Sequence, residues 1–116
     1  MEGWISLYRK VREHWIWKSK EPFDKRSAWI DLLLRANHKD AKIMIDSKFV
    51  DVKKGSFITS EIKLADDWKW SRKKVRNFLQ GLETDKMLTK KSTTKYTTIT
   101  IENWELYQIK EQRNIQ

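Results

Sequence analysis

Between Lys69 and Lys95 the sequence gathers nine cations, Lys69, Arg72, Lys73, Lys74, Arg76, Lys86, Lys90, Lys91 and Lys95, against two carboxylates, Glu83 and Asp85. Those 27 residues carry a net +7, whereas the remaining 89, with 16 cations and 14 carboxylates, carry only +2. A surplus confined in this way is a Coulombic footprint for a polyanion, the alternative being a solvated basic face with no partner. The same stretch holds Asn77 and Gln80. Amides of this kind pair bidentately with adenine in the major groove, and Arg or Lys pairs with guanine. Flanking cations suit phosphates, which fix register without reading sequence.

Other chemistries find little support. The sequence has no cysteine, which excludes disulfides, thiol catalysis and cysteine-ligated zinc. His14 and His38 are isolated from each other and from other ligands, so no metal is expected. Asp66 and Asp67 are adjacent on an expected helix and point about 100° apart. They read as solvated partners of nearby Lys or Arg rather than an acid–base pair. Neither a G-x-x-x-x-G-K-[ST] loop nor a G-x-G-x-x-G run occurs, and no Ser–His–Asp set can be proposed from spacing. The expectation is a non-enzyme without cofactors.

Elements must position the basic stretch, and the apolar spacing indicates which. Ser60 is a candidate N-cap for a short helix over Glu61–Trp68, with Ile62, Ala65 and Trp68 repeating at spacing three. Ser71 is a second candidate, opening a helix over about Arg72–Thr84 that buries Val75, Phe78, Leu79 and Leu82. Lys73, Asn77 and Gln80 then lie roughly 140–200° from that stripe, with Arg76 and Lys74 on opposite flanks and Arg72 in the first turn. The Ser71 cap and the free N–H groups of this helix start suit one further phosphate. Two short helices joined by a tight turn, the second basic, match a helix-turn-helix. Met87-Leu88, the polar run Thr89–Lys95 and the alternating Tyr96–Ile101 follow as a strand, a basic tip and a returning strand, which make a wing.

Upstream, Trp4, Leu7, Tyr8 and Val11 predict an amphipathic helix over residues 4–12, with Arg9, Lys10 and Arg12 on its solvent side. His14 to Phe23 is irregular. Asp24 caps a helix to about Asn37 whose stripe is Ala28, Trp29, Leu32, Leu33 and Ala36, with Leu34 off to one flank. Residues 41–59 change to period two and predict a hairpin around Asp46-Ser47-Lys48, a turn at Lys54-Gly55 and a following strand. Asn103 is expected to cap a closing turn that packs Trp104, Leu106 and Tyr107 onto the body. Of Trp68 and Trp70, astride the helix turn, one ring is expected in the core and the other partly exposed. Trp15 and Trp17 do not both fit the core, and at least one is expected to mark a self-association patch.

The fold class that results is α+β, a winged helix-turn-helix with an added N-terminal helix and a small β-hairpin. With 116 residues and 39% hydrophobic side chains, seven of them Trp, one core is feasible without staples. The expected domain covers residues 1–109, with 110–116 a tail or linker start. No apolar run approaches the roughly 18 residues that span a bilayer, and Met-Glu-Gly-Trp is no signal peptide. The expected location is the cytoplasm, with no membrane partner.

Five segments resemble a known family. They are Gly3-Trp4-Ile5-Ser6-Leu7-Tyr8-Arg9-Lys10, Ala28-Trp29-Ile30-Asp31-Leu32-Leu33-Leu34-Arg35-Ala36-Asn37-His38-Lys39, Lys54-Gly55-Ser56-Phe57-Ile58-Thr59-Ser60, Trp70-Ser71-Arg72-Lys73-Lys74-Val75-Arg76-Asn77-Phe78-Leu79 and Thr98-Ile99-Thr100-Ile101-Glu102-Asn103-Trp104. Together they span most of residues 3–108 and look like the N-terminal winged-helix domain of DnaD-like replisome organisers from phages and Gram-positive bacteria. The resemblance implies a module that helps load replication machinery at an origin, with replication proteins such as a helicase or its loader as partners and a tendency to homo-oligomerise. Such proteins usually continue into a C-terminal helical domain, so the chain is expected to be a piece of a longer protein or a small stand-alone relative. Only Ser71 through Gln80 and the wing Lys90–Lys95 match places where such domains are expected to meet DNA.

The resulting expectation is a double-stranded DNA interface. Lys73, Arg76, Asn77 and Gln80 enter the major groove, while Lys69, Arg72, Lys74, Lys90, Lys91 and Lys95 meet phosphates or the minor groove. Charge reversal at Lys73 and Arg76 is expected to cost more than reversal at Lys25 and Arg26. Two rivals use the same fold, a protein–protein adaptor and a small phage-type transcription regulator. RNA binding is less suited, because the basic helix lacks an exposed aromatic platform.

Overall fold

The computed structural model describes residues 6–108 and is an α+β fold with three α-helices and two small antiparallel sheets. Trp4, placed on the expected first helix, and the tail from residue 110 lie outside the described residues. Helix α1 (Lys25–Arg35) starts where Asp24 Oδ1 accepts the Ser27 N–H at 2.8 Å. That backbone bond, with Arg26 beside it, lowers the Asp24 pKa to about 2. Ala28, Leu32 and Ala36 enter the core, and Trp29 and Leu33 pack at its edge. Leu34 is buried as well, although outside the main cluster.

The expected helix over residues 4–12 is instead a 3-10 turn over Arg9–Glu13, and Leu7 and Tyr8 are exposed. No side chain caps its start at Tyr8, and so short a segment gains little helix from local propensity alone. What docks it is cationic. Arg9 donates to the Ala36 carbonyl at 3.5 Å, and Arg12 reaches Asp31 at 2.9 Å.

Strands β1 (Ala41–Ile45) and β2 (Lys48–Val52) form a separate two-stranded sheet. Their turn is Asp46-Ser47, both at positive φ, as a two-residue hairpin loop requires. Lys48 therefore opens β2 instead of completing the turn. The chain then turns at Gly55, at φ +83°, where a Cβ would come within 2.9 Å of Trp104 Cγ. Strand β3 (Ser56–Thr59) pairs with β5 (Thr97–Ile101), which also pairs with β4 (Leu88–Ser92), giving the order β3-β5-β4. The middle strand is thus the last in sequence, and its Ile99 and Ile101 are buried over Leu88 and Phe57.

Helix α2 (Glu61–Trp68) is capped by Ser60 and α3 (Arg72–Thr84) by Ser71, each hydroxyl accepting the N–H three residues on at 3.1 Å. On α2 the buried residues are Leu64, Ala65 and Trp68, while Ile62 is 55% exposed. Ala65 and Trp68 are thus buried at spacing three as expected, and Leu64 takes the core place assigned to Ile62. On α3 the stripe is as the spacing predicts, with Val75, Leu79 and Leu82 buried and Phe78 half-buried.

The link between α2 and α3 passes through Lys69 in the left-handed region, at φ +60°. This kink turns Trp70 back toward the body, so both indoles are buried instead of one. Trp70 Nε1 donates to the Phe23 carbonyl at 2.7 Å, and Phe23 N–H donates to the Trp68 carbonyl at 3.0 Å. The two rings stack edge-on with each other and with Phe78 at centroid distances of 5.0–6.0 Å. At the other end a 3-10 turn spans Trp104–Tyr107. Trp104 packs on the core, but Leu106 and Tyr107 are both exposed, Tyr107 meeting Trp29 edge-on. No helix among the described residues is long and apolar enough to cross a membrane.

Candidate nucleic-acid interface

Helix α3 carries four of the nine cations of the basic stretch, Arg72, Lys73, Lys74 and Arg76. Its core stripe packs inward, so Arg72, Lys73, Lys74, Arg76, Asn77 and Gln80 are all exposed. Ser71, Lys73, Lys74, Asn77 and Phe78 line an open groove of about 400 Å³ whose sixth lining residue is Lys25, at the start of α1. Among the described residues, three lysines and no carboxylate line that groove. Lys25, expected to tolerate charge reversal better than Lys73, lies beside α3 in the fold. No local pattern links residues 25 and 73, and only the docking of the α2–α3 turn against the chain before α1 joins them. The Lys25 and Arg26 pair therefore cannot serve as a neutral comparison for Lys73 and Arg76.

Several of the expected contacts are already engaged. The Ser71 hydroxyl accepts the Lys74 N–H of its own helix, leaving its remaining hydrogen-bonding capacity at the groove edge. Lys74 Nζ stands 4.3 Å from the centroid of the Trp70 ring, a cation–π contact that holds it at the groove. Arg72 and Arg76 both donate to Glu61 in the first turn of α2, at 3.0–3.2 Å. The bond from Arg76 is the main cause that lowers the Glu61 pKa, partial burial opposes it, and Arg72 adds to it. The same bond raises the Arg76 pKa. Sequence reading gave Glu61 no role beyond opening α2.

The lysines beyond α3 are less unified. Lys69 lines a different, polar cavity of about 300 Å³ with Arg12, Asp31, Arg35, Asp66 and Asp67, apart from the Lys73 groove. Adjacent residues on a strand point to opposite faces. Lys90 pairs across the sheet with buried Ile99 and is half-buried, whereas Lys91 pairs with Thr98 and is exposed. Lys95, at the tip of the β4–β5 hairpin, pairs with Asp46 at the tip of β1–β2 at 2.7 Å. Of the hairpin lysines, Lys91 and Lys95 are thus the exposed ones. Among the described residues no group of three or more His, Cys, Asp or Glu side chains could hold a metal ion.

Comparison of the chain with models of protein families, with curated proteins and with solved structures gives no match in any of the three.

Proposed function

We propose that this chain is a winged helix-turn-helix that binds double-stranded DNA, with α3 as the recognition helix and β4–β5 as the wing. The observation that carries this reading is the groove where Lys25, Lys73 and Lys74 converge beside Asn77 on α3, with no carboxylate among the described residues that line it. Cations there suit backbone phosphates, and the exposed Lys73, Asn77 and Gln80 have the donor and acceptor sets that read base edges. The role in replication initiation, with a helicase or its loader as partner, rests on the resemblance of the five sequence segments to DnaD-like organisers.

Duplex affinity measured across a salt series tests the reading. With about five phosphates neutralised, the log–log slope is expected to be roughly −4 to −5. Lys73→Glu with Lys74→Glu should abolish most of the binding, Lys25→Glu should weaken it in the same direction, and Lys20→Glu with Lys39→Glu should leave it nearly unchanged. A flat salt response, or equal losses in the two double variants, would refute the interface.

One observation favours the adaptor reading as the second choice. Tyr8 and Trp15 are about three-quarters exposed, with Leu7 and Ile16 exposed beside them in sequence. Large apolar side chains held in water are what a protein partner covers. Partner binding retained in the lysine variants, with no duplex affinity in the parent chain, would favour it.

A further inference from the structure

The pairing of Glu61 with Arg76 has a specific geometry. Arg76 Nε donates to Oε2 at 3.2 Å and Nη2 donates to Oε1 at 3.0 Å, so the carboxylate occupies the side-on edge of the guanidinium. Arg72 Nη2 donates to the same Oε1 at 3.2 Å. A guanidinium has five N–H donors, and the side-on pair uses two of them. One hydrogen on Nη1 and one on Nη2 remain as an end-on fork, the shape that meets guanine O6 and N7 together.

Charge alone does not account for a carboxylate in that place. Glu61 reduces the local charge of the two arginines from +2 to +1, which weakens attraction to any phosphate backbone. What it adds is orientation, because an exposed Arg otherwise samples many rotamers before it binds. Arg76 stands on the α2 side of α3, exposed, one helical turn from Gln80 and three residues from Lys73.

We propose that Glu61 is a positioning residue that holds the Arg76 guanidinium side-on, so that its free fork reads a guanine edge and sets base preference at one position of the site. This rests on the duplex-DNA reading given above. The fork also fits two phosphate oxygens, and the test separates the two acceptors.

Bound duplexes are selected from a random pool with the parent chain, Glu61→Gln, Glu61→Ala and Arg76→Lys, and affinity for a fixed random duplex is measured alongside. The parent chain should enrich guanine at one position. Arg76→Lys and Glu61→Ala should each reduce that preference about tenfold. Glu61→Ala should bind the random duplex at least as tightly as the parent, since a negative charge has gone. Glu61→Gln, which keeps one acceptor in place with little change of shape, should fall between. Thermal unfolding of each variant establishes that the fold is retained, and Glu61→Gln carries the test if the alanine variant is destabilised. Guanine preference unchanged in both Glu61 variants would overturn the inference. So would a loss in Arg76→Lys that is uniform across all sequences, the signature of a phosphate contact. Duplex binding by the parent chain with no base preference overturns this inference alone, whereas no duplex binding at low salt overturns the DNA reading with it.

Discussion

Asp31 and Glu61 each collect two arginines, one carboxylate inside the fold and the other at its surface. Asp31 is 1% exposed and accepts from Arg12 at 2.9 Å, Arg35 at 2.7 Å and the Trp68 indole at 2.8 Å. Arg35, itself buried, continues to Asp67. Burial is the largest influence on Asp31 and resists its ionisation, but the charge of Arg35, the Trp68 and Arg35 hydrogen bonds and the charge of Arg12 prevail, and its pKa is lowered. Glu61 has a similar partner set without the indole and is only partly buried. The same ion-pair chemistry therefore serves to join elements in one place and to orient side chains toward solvent in the other. What differs is desolvation. Inside, a carboxylate stripped of one partner has no water to turn to. Outside, water replaces the partner at little cost.

The sharpest way to break that contrast is truncation. Asp31→Ala should destabilise the fold by about 3–5 kcal/mol, because it leaves the buried Trp68 N–H without its acceptor and the buried Arg35 guanidinium with Asp67 alone. Glu61→Ala should cost less than about 1 kcal/mol. Urea unfolding of the two variants decides, and comparable losses would mean that burial is not what separates the pair.

Acid comes next. The folded-state pKa of Asp31 lies below its ordinary 3.8, so its ionised form stabilises the fold above that pH, and the stabilisation is lost as pH falls through the folded value. Asp31→Asn should flatten the stability profile below about pH 4, and Glu61→Gln should alter it far less. A smaller effect is expected at the caps. Ser71→Ala should cost about 1 kcal/mol, read as a lower unfolding midpoint, because the α3 start loses its side-chain acceptor. The smallest belongs to the hairpin tips. Lys95→Ala removes an ion pair whose side chains are both more than half exposed, and should move stability by less than about 0.5 kcal/mol.

Sequence made the helix starts legible, since Asp24, Ser60 and Ser71 are each followed by the helix they cap, and the α3 stripe by its four-residue rhythm. These are local signals, carried within one turn of the chain. Burial of Asp31 was not legible. Arg35 is a neighbour one turn along α1, but Arg12 comes from the 3-10 turn and Trp68 from α2, and nothing near residue 31 announces those two. The first helix failed for a related reason. Arg9 and Arg12 read as a solvated face, yet they are what tie that segment to α1. At the candidate interface, the exposed side of α3 follows from periodicity, while Lys25 and Glu61 depend on how α1 and α2 pack around it. The lysines Lys90 and Lys91 were grouped by adjacency, and strand alternation sends them to opposite faces.

The tryptophan pair at the α2–α3 turn has an optical consequence. With ring centroids 5.0 Å apart and planes inclined by 65°, Trp68 and Trp70 are close enough for their excited states to couple. The far-ultraviolet circular dichroism should then carry a split band of opposite signs, superimposed on the helical signal and lost when either indole is replaced by Phe. Since the Lys74 ammonium lies over the Trp70 ring, an anion that draws this lysine away should also shift the emission of that indole. The turn is thus a label-free gauge of its own packing and of what arrives at the neighbouring groove.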